Sequence, residues 1–304
     1  MRVAALAGGT GSAKLLSGLL RLGVDLTVVA NVGDNFWTYG VYVCPDIDIA
    51  CYSLAGISDR SKGWGIEGDT FEVLRSLEGI GVDTWFTLGD RDLAVCLRRT
   101  EMLRSGASLT EAVVAERGSL GLKCQVLPVT NDSVETRIVT SKIDMHLQEF
   151  WVREKGQPRV SGVRYEGARK ARVTSEVVSA ISRADRVVVC PANPVTSIGP
   201  MLAVPGFVQL LSRTEAQVVA LSPMKGGAPF SGPAGKLMKA TGTRQDSLGV
   251  AKLYASFLDG IIISDEDLGL RRDIESMGVR SLASNTNMVG PEDELRLAKE
   301  LMQA

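Results

Sequence analysis

Short apolar, β-branched runs alternate along this chain with segments whose apolar residues recur every three to four positions. That alternation predicts a parallel sheet with crossover helices. Val3-Ala4-Ala5-Leu6-Ala7 reads as the first strand, and Leu15, Leu16, Leu19 and Leu20 mark one face of a helix that begins near Ser12 and stops at Gly23. Leu26-Thr27-Val28-Val29-Ala30 predicts the second strand and Trp85-Phe86-Thr87-Leu88 a weaker third. Further strands are expected at Arg186 to Cys190, Gln217 to Leu221 and Gly260 to Ile263. Thr174 or Ser175 is placed to cap a helix running to about Ala184, and helical spacing covers about 68–79, 92–105 and 108–117. From Cys124 to about Val163 the pattern changes. Val134 to Ile138 and Phe150-Trp151-Val152 predict short antiparallel strands there. The expected architecture is α/β: one Rossmann-like, doubly wound, mainly parallel domain over 1–304, with a helical insertion around 49–118 and a β-rich insertion around 124–165.

Composition narrows this picture. A formal net charge of -1 leaves no broad basic footprint for nucleic acid, so an anionic ligand has to be held by local devices. A single histidine, His146, leaves acid-base and metal chemistry to carboxylates. The five cysteines form no C-x-x-C pair, which favours reduced thiols in a cytosolic protein. No apolar run approaches the roughly 18 residues of a membrane span, and the N-terminus has no signal-peptide pattern. The chain is therefore expected to be cytoplasmic, with neither a membrane nor a nucleic acid as partner.

In an open parallel sheet, ligands sit beyond the carboxyl ends of the strands. The loops at those ends are polar here. Gly8-Gly9-Thr10-Gly11-Ser12-Ala13-Lys14 comes after the first strand, where glycines admit close backbone approach and the next helix points free N–H groups at a phosphate. Lys14 stands where a dinucleotide fingerprint has its third glycine, and the G-K-[S/T] ending of a Walker A loop is missing. A tight turn that binds nothing is the plain alternative. Asn31-Val32-Gly33-Asp34-Asn35 comes after the second strand, and Pro45-Asp46-Ile47-Asp48 adds two carboxylates to Asp34. Two of the three would suffice to hold magnesium against a substrate phosphate. Asp46 or Asp48 would equally serve to cap a helix starting near Ile49, and for Asp46 capping is the preferred reading. Gly89-Asp90-Arg91-Asp92 offers an anion-binding fork at Arg91 or a surface ion-pair cluster. Asn193 and Ser197 lie in a proline-fixed loop, and Ser222 stands just past a later strand. His146 is read as a packed histidine, and Trp37, Tyr39 and Trp64 as core residues or stacking surfaces.

These motifs, together with Gly63-Trp64-Gly65, Asn193 to Pro200 and Ser231 to Met238, occur in an order that resembles the 2-phospho-L-lactate transferase family of coenzyme F420 biosynthesis, over roughly residues 3 to 268. The resemblance implies a Rossmann-like, homodimeric, magnesium-dependent transferase. Its substrates would be a guanosine diphosphate-linked three-carbon acid and the deazaflavin Fo, whose terminal ribityl hydroxyl attacks phosphorus as GMP leaves. On this chain it implies Asp34 and Asp48 as metal ligands, and Asp48 and Arg91 near Fo. Gly8, Gly9, Thr10, Gly11, Lys14, Asn193, Ser197 and Ser222 fall on the nucleotide side. For the proton of the alcohol the candidate acceptors are Asp48 and Asp90, with a metal-bound water as the alternative. Two departures stand out: Asn35 replaces a frequent second aspartate, and Ala192 a common serine. A nicotinamide-dependent oxidoreductase and a non-catalytic nucleotide or sugar-phosphate sensor are the rival readings.

Overall fold

A computed structural model describes all 304 residues. Seven strands form one parallel sheet: β1 (Arg2–Ala7), β2 (Asp25–Ala30), β3 (Gln125–Pro128), β4 (Arg186–Val189), β5 (Gln217–Leu221), β6 (Gly260–Ser264) and β7 (Arg280–Ser284). Their order across the sheet is β7-β6-β5-β4-β1-β2-β3. The chain thus winds outward from β1 to β3, returns to place β4 beside β1, and winds outward the other way. Such a reversal leaves a crevice where the loops after β1 and β4 diverge, and this is where open α/β sheets bind ligands. All seven strands are parallel to their neighbours. Four of the central strands are buried along nearly their whole length, as expected when helices cover both faces.

Helix α1 (Gly9–Arg21) starts directly after β1 and buries Ser12, Ala13, Leu15, Leu16, Gly18 and Leu19. At Gly18 a Cβ would lie 2.2 Å from the Glu294 carbonyl oxygen, so glycine lets the C-terminal helix Pro291–Leu301 approach its backbone. Between β2 and β3 the chain makes a hairpin (Phe36–Thr38 with Val41–Val43) and then four helices: α2 (Pro45–Leu54), α3 (Glu72–Gly79), α4 (Asp90–Arg104) and α5 (Leu109–Ser119). Ser108 and Glu111 close a capping box at the start of α5. Between β3 and β4, strand Glu135–Thr140 pairs antiparallel with Asp144–His146 and Val160–Glu166. Thr174 caps the helix Ser175–Ser182 with its side chain, as its position predicts.

Several elements differ from the sequence expectation. Trp85 to Leu88 forms no strand. Leu88, Phe36, Val41, Val43, Leu74, Leu93 and Cys96 instead build a satellite core with Tyr39, Phe71, Trp85 and Phe86 packed against it. An apolar run of four has no periodicity to separate a strand from such a cluster. Phe150-Trp151-Val152 lies in a π-helical turn, Glu149–Arg153. Gln125–Pro128 joins the main sheet rather than the antiparallel insertion. All five cysteines are buried and unpaired. No single helix is long and apolar enough to cross a membrane.

Candidate active site

The loops after β1, β2 and β4 meet at the crevice. Gly8 is the N-cap of α1, and Gly9 has φ +67°, a left-handed conformation that favours glycine. A Cβ on Gly8 would fall 2.6 Å from both Asp46 Oδ2 and Ser197 Cβ, and one on Gly11 would fall 2.2 Å from the Pro191 carbonyl oxygen. The glycines are therefore needed for contact with the other loops as well as for approach of a ligand. Ser12 ties the turn together: its hydroxyl donates to the Gly8 carbonyl at 2.7 Å and accepts the Gly8 N–H at 3.0 Å. Replacing Gly11 by alanine forces the β1 and β4 loops apart. We expect a loss of about 1–3 kcal/mol in a denaturant melt. An unchanged melt would show that the two loops part freely.

Asp46 does something the helix-cap reading did not anticipate. Helix α2 begins at Pro45, so Asp46 sits within its first turn and caps the neighbouring helix: the Gly9 N–H donates to Asp46 Oδ1 at 2.6 Å. A carboxylate thus occupies the positive end of α1. Its other oxygen accepts from Asn31 Nδ2 at 2.8 Å, while the same nitrogen lies 3.1 Å from Asp34 Oδ1 and 3.1 Å from the Thr196 carbonyl. Asn31 is completely buried and its own oxygen accepts the Gly33 N–H at 2.9 Å. Two amide hydrogens facing three acceptors leave the carboxylates short of donors. Asp34 Oδ2 has only a long contact, 3.4 Å, from Gln148 Nε2. Burial, then the neighbouring Asp46, pushes Asp34 well above the ordinary carboxylate range. Burial also raises Asp46 to about 6, against hydrogen bonds from Asn31 and Gly9 that lower it. Two buried carboxylates around one amide invite a cation.

Asp48, expected beside Asp34, points elsewhere. Arg99, 2% exposed on α4, forks onto both Asp48 oxygens (Nη1 to Oδ2 at 3.2 Å, Nη2 to Oδ1) and onto Glu116 of α5 at 2.7 Å. Asp92 lies in the same cluster, where the Tyr52 hydroxyl donates to it at 2.8 Å. With both oxygens held by a guanidinium, Asp48 is poorly placed to ligate a metal, and the carboxylate that meets Asp34 is Asp46. Sequence could not decide this, because Asp46 and Asp48 differ by about 200° around a helix.

Asp90 is likewise engaged. It accepts from Thr70 Oγ1 at 2.6 Å and from the N–H groups of Glu72 and Val73 at 2.9 and 3.0 Å, capping α3. The Thr70 bond first, then those two N–H bonds, hold its pKa below the usual value, the reverse of what a base near neutrality needs. Asp69 in turn accepts from the N–H groups of Arg91 and Asp92, capping α4. Arg91 is exposed, and its guanidinium contacts only the Glu67 carbonyl, at 3.2 Å. Trp64 is 41% exposed in a turn whose Gly63 packs on Thr10. His146 stacks on Phe36 and accepts the Gln148 N–H on Nδ1, and burial lowers it to about 4, so it is neutral and packed, as expected.

Of the residues expected to line a nucleotide, Ser197 meets the Gly8–Gly9 turn directly. Asn193 uses its side-chain oxygen to cap the turn Pro194–Ile198 that carries Ser197, accepting from the N–H groups of Val195 and Thr196. Lys14 Nζ reaches away from the turn to the Met288 carbonyl at 2.9 Å. Ser222 is wholly buried, its hydroxyl bonded to Ser247. Asn193 and Ser222 therefore act through the loops they fix. Sequence gave no role to Asn31 or Gln148, which orient the acid pair. Asn31 lies in the loop after the second strand, but nothing in sequence marks a buried amide as the hub of two carboxylates.

A family model for 2-phospho-L-lactate transferase CofD matches residues 3–286. The chain belongs to the 2-phospho-L-lactate transferase family. Among curated members, the 2-phospho-L-lactate transferase of Methanosarcina mazei is 38% identical over 98% of each chain. That of Methanothermobacter thermautotrophicus is 40% identical over 99% of this chain and 97% of its own. A phosphoenolpyruvate transferase of Streptomyces griseus is 37% identical, covering 100% of this chain and 98% of that one. Among solved structures, a UPF0052 family protein from Bacillus halodurans superposes with a TM-score of 0.67 at 16% identity, covering 99% of this chain and 98% of that one, a likeness of fold alone. Membership makes the chain a phospho-acid transferase on small-molecule substrates, consistent with coenzyme F420 biosynthesis.

Proposed function

We propose that this transferase moves a three-carbon phospho-acid from a guanosine diphosphate-linked donor to the ribityl hydroxyl of the deazaflavin Fo, releasing GMP. The observation that carries the reading is the under-donated Asp34–Asn31–Asp46 group beside the N-terminus of α1. Hard carboxylate oxygens next to a phosphate cradle fit magnesium, which binds through one or two carboxylates plus substrate phosphates. Asp34 and Asp46 would hold the ion, in place of the Asp34 and Asp48 set that resemblance implies. Bound there, magnesium would offset the charge that builds on the leaving phosphate.

The chain's own groups supply the rest. Free N–H groups in the first turn of α1 and the Ser197 hydroxyl bind phosphate oxygens. Arg91 and Trp64, exposed on the helical excursion, offer a charged fork and a flat face to the deazaflavin. The attacking hydroxyl must lose a proton. Asp34 Oδ2 suits that transfer best, being the carboxylate oxygen with the weakest partner. A homodimer, expected from the resemblance, is measured by sedimentation.

The test is incubation with Fo, magnesium and guanosine diphosphate-linked lactate or enolpyruvate (the phospho-acid joined to GMP), with products read by mass spectrometry. A phosphodiester of Fo together with GMP is the expected outcome, and hydrolysis alone would reject Fo as acceptor. Chelation with EDTA should abolish transfer and magnesium restore it. Full turnover in a verified metal-free sample would remove the ion from the reaction.

A further inference from the structure

The nucleotide half of the rim contains a cation that the family motifs do not single out. Beyond β5 the chain makes a two-residue-per-strand hairpin, pairing Met224 with Pro229 and Lys225 with Ala228. Gly226 and Gly227 turn it with φ +56° and +76°. Its base is anchored by a buried chain of defined direction. Ser247 donates its only hydroxyl hydrogen to Asp267 at 2.7 Å, so Ser222 must donate to Ser247 at 2.8 Å. Ser222 Oγ is then left to accept the Met224 N–H at 3.1 Å. Ser222, Ser247 and Asp267 are all buried. A buried carboxylate and two buried hydroxyls thus hold the backbone one residue before Lys225, at the carboxyl edge of the sheet.

Lys225 itself is lightly held. Its Nζ lies 3.2 Å from the neutral Asn287 Oδ1 and 3.2 Å from Glu266 Oε1, and the Glu266 side chain is 58% exposed. An ion pair that open to water contributes little. Lys14, from α1, rests on the carbonyl of the next residue, Met288. The segment that links β7 to the C-terminal helix thereby holds two lysines, distant in sequence, on adjacent residues at the carboxyl edge of the sheet. In the same segment, Thr286 is buried with its hydroxyl unpartnered.

We propose that Lys225, positioned by the Asp267–Ser247–Ser222 chain and assisted by Lys14, is a phosphate-binding residue that neutralises the diphosphate of the donor across the rim from α1. This rests on the guanosine diphosphate reading above, and it assigns Ser222 the part of a positioning residue. Diphosphate exchanges the weak Asn287 and Glu266 contacts for a charge-assisted bond.

Calorimetry on the full chain with magnesium, using GDP and inorganic pyrophosphate as separate probes, tests it. Lys225→Met should weaken both by about tenfold, Lys225→Arg should retain most of the affinity, and Glu266→Gln should tighten binding severalfold by freeing the lysine. Ser222→Ala should weaken both probes less than Lys225→Met does. Lys225→Met within twofold of wild type for both probes would overturn the proposal. Wild-type binding of pyrophosphate but not GDP, weakened by Lys225→Met, would uphold the cation and reject the guanosine donor. Binding of neither probe by wild type would overturn both.

Discussion

Asp34→Asn is expected to lower kcat about 100- to 1000-fold while leaving the melting temperature unchanged or raised. The two effects diverge because of what surrounds the residue. Asp34 is buried and held above the ordinary carboxylate range by that burial and by the Asp46 charge, so its ionised form is a liability to the fold. An amide of the same shape removes the repulsion and keeps an oxygen for Asn31, while its nitrogen faces Gln148, whose amide turns over to accept. The same change removes the charge that a cation and the attacking hydroxyl's proton both require. Steady-state turnover with a parallel thermal melt checks it. Activity within threefold of wild type would show that the acid pair is structural, and a large fall in melting temperature would show that Asp34 matters chiefly to folding.

Arg99→Met is the substitution expected to damage the fold most. Arg99 is the one cation among three buried carboxylates, Asp48, Asp92 and Glu116, and it ties α4 to α2, α5 and the Tyr42 carbonyl. Removing one partner of a buried pair leaves charge uncompensated, at a cost of about 3–5 kcal/mol. For a chain of this length that corresponds to a fall of roughly 10 °C in melting temperature. Replacing Arg99, Asp48 and Glu116 together by apolar residues should recover much of the loss, because the desolvation penalty disappears with the charges. A single variant that melts within 2 °C of wild type would mean the cluster is not a structural hub.

The cluster also sets the sign of the pH dependence. Burial raises Asp92 to about 6 from an ordinary value of 3.8, against the Tyr52 hydrogen bond that lowers it. The folded state therefore holds protons that the unfolded chain has released, and stability falls as pH rises through that window. Melting temperature should decline between about pH 4 and pH 6, and Asp92→Asn should flatten that slope.

Much of this protein is legible without coordinates. Strand and helix periods placed β1, β2, α1, β4, β5 and β6, since a central strand covered on both faces must be a continuous apolar run, whereas the edge strand β7, only partly buried, gave no such run. The polar loops after those strands, and the order of motifs within them, located the crevice and the family. The glycines at 8, 9 and 11 could be read as a turn that admits a backbone or a phosphate.

What only the tertiary structure decided was which carboxylate faces which partner. Asp46 and Asp48 stand two residues apart in one helical turn, and sequence favoured Asp48 over Asp46 as the partner of Asp34. A guanidinium fifty-one positions from Asp48 claims that residue, while an amide from the β2 loop and the first N–H of α1 claim Asp46. Asp90 looked free until Thr70 and the start of α3 folded onto it. Side-chain partners of this kind are set by contacts between distant segments, and those exist only once the sheet has brought the loops to one edge.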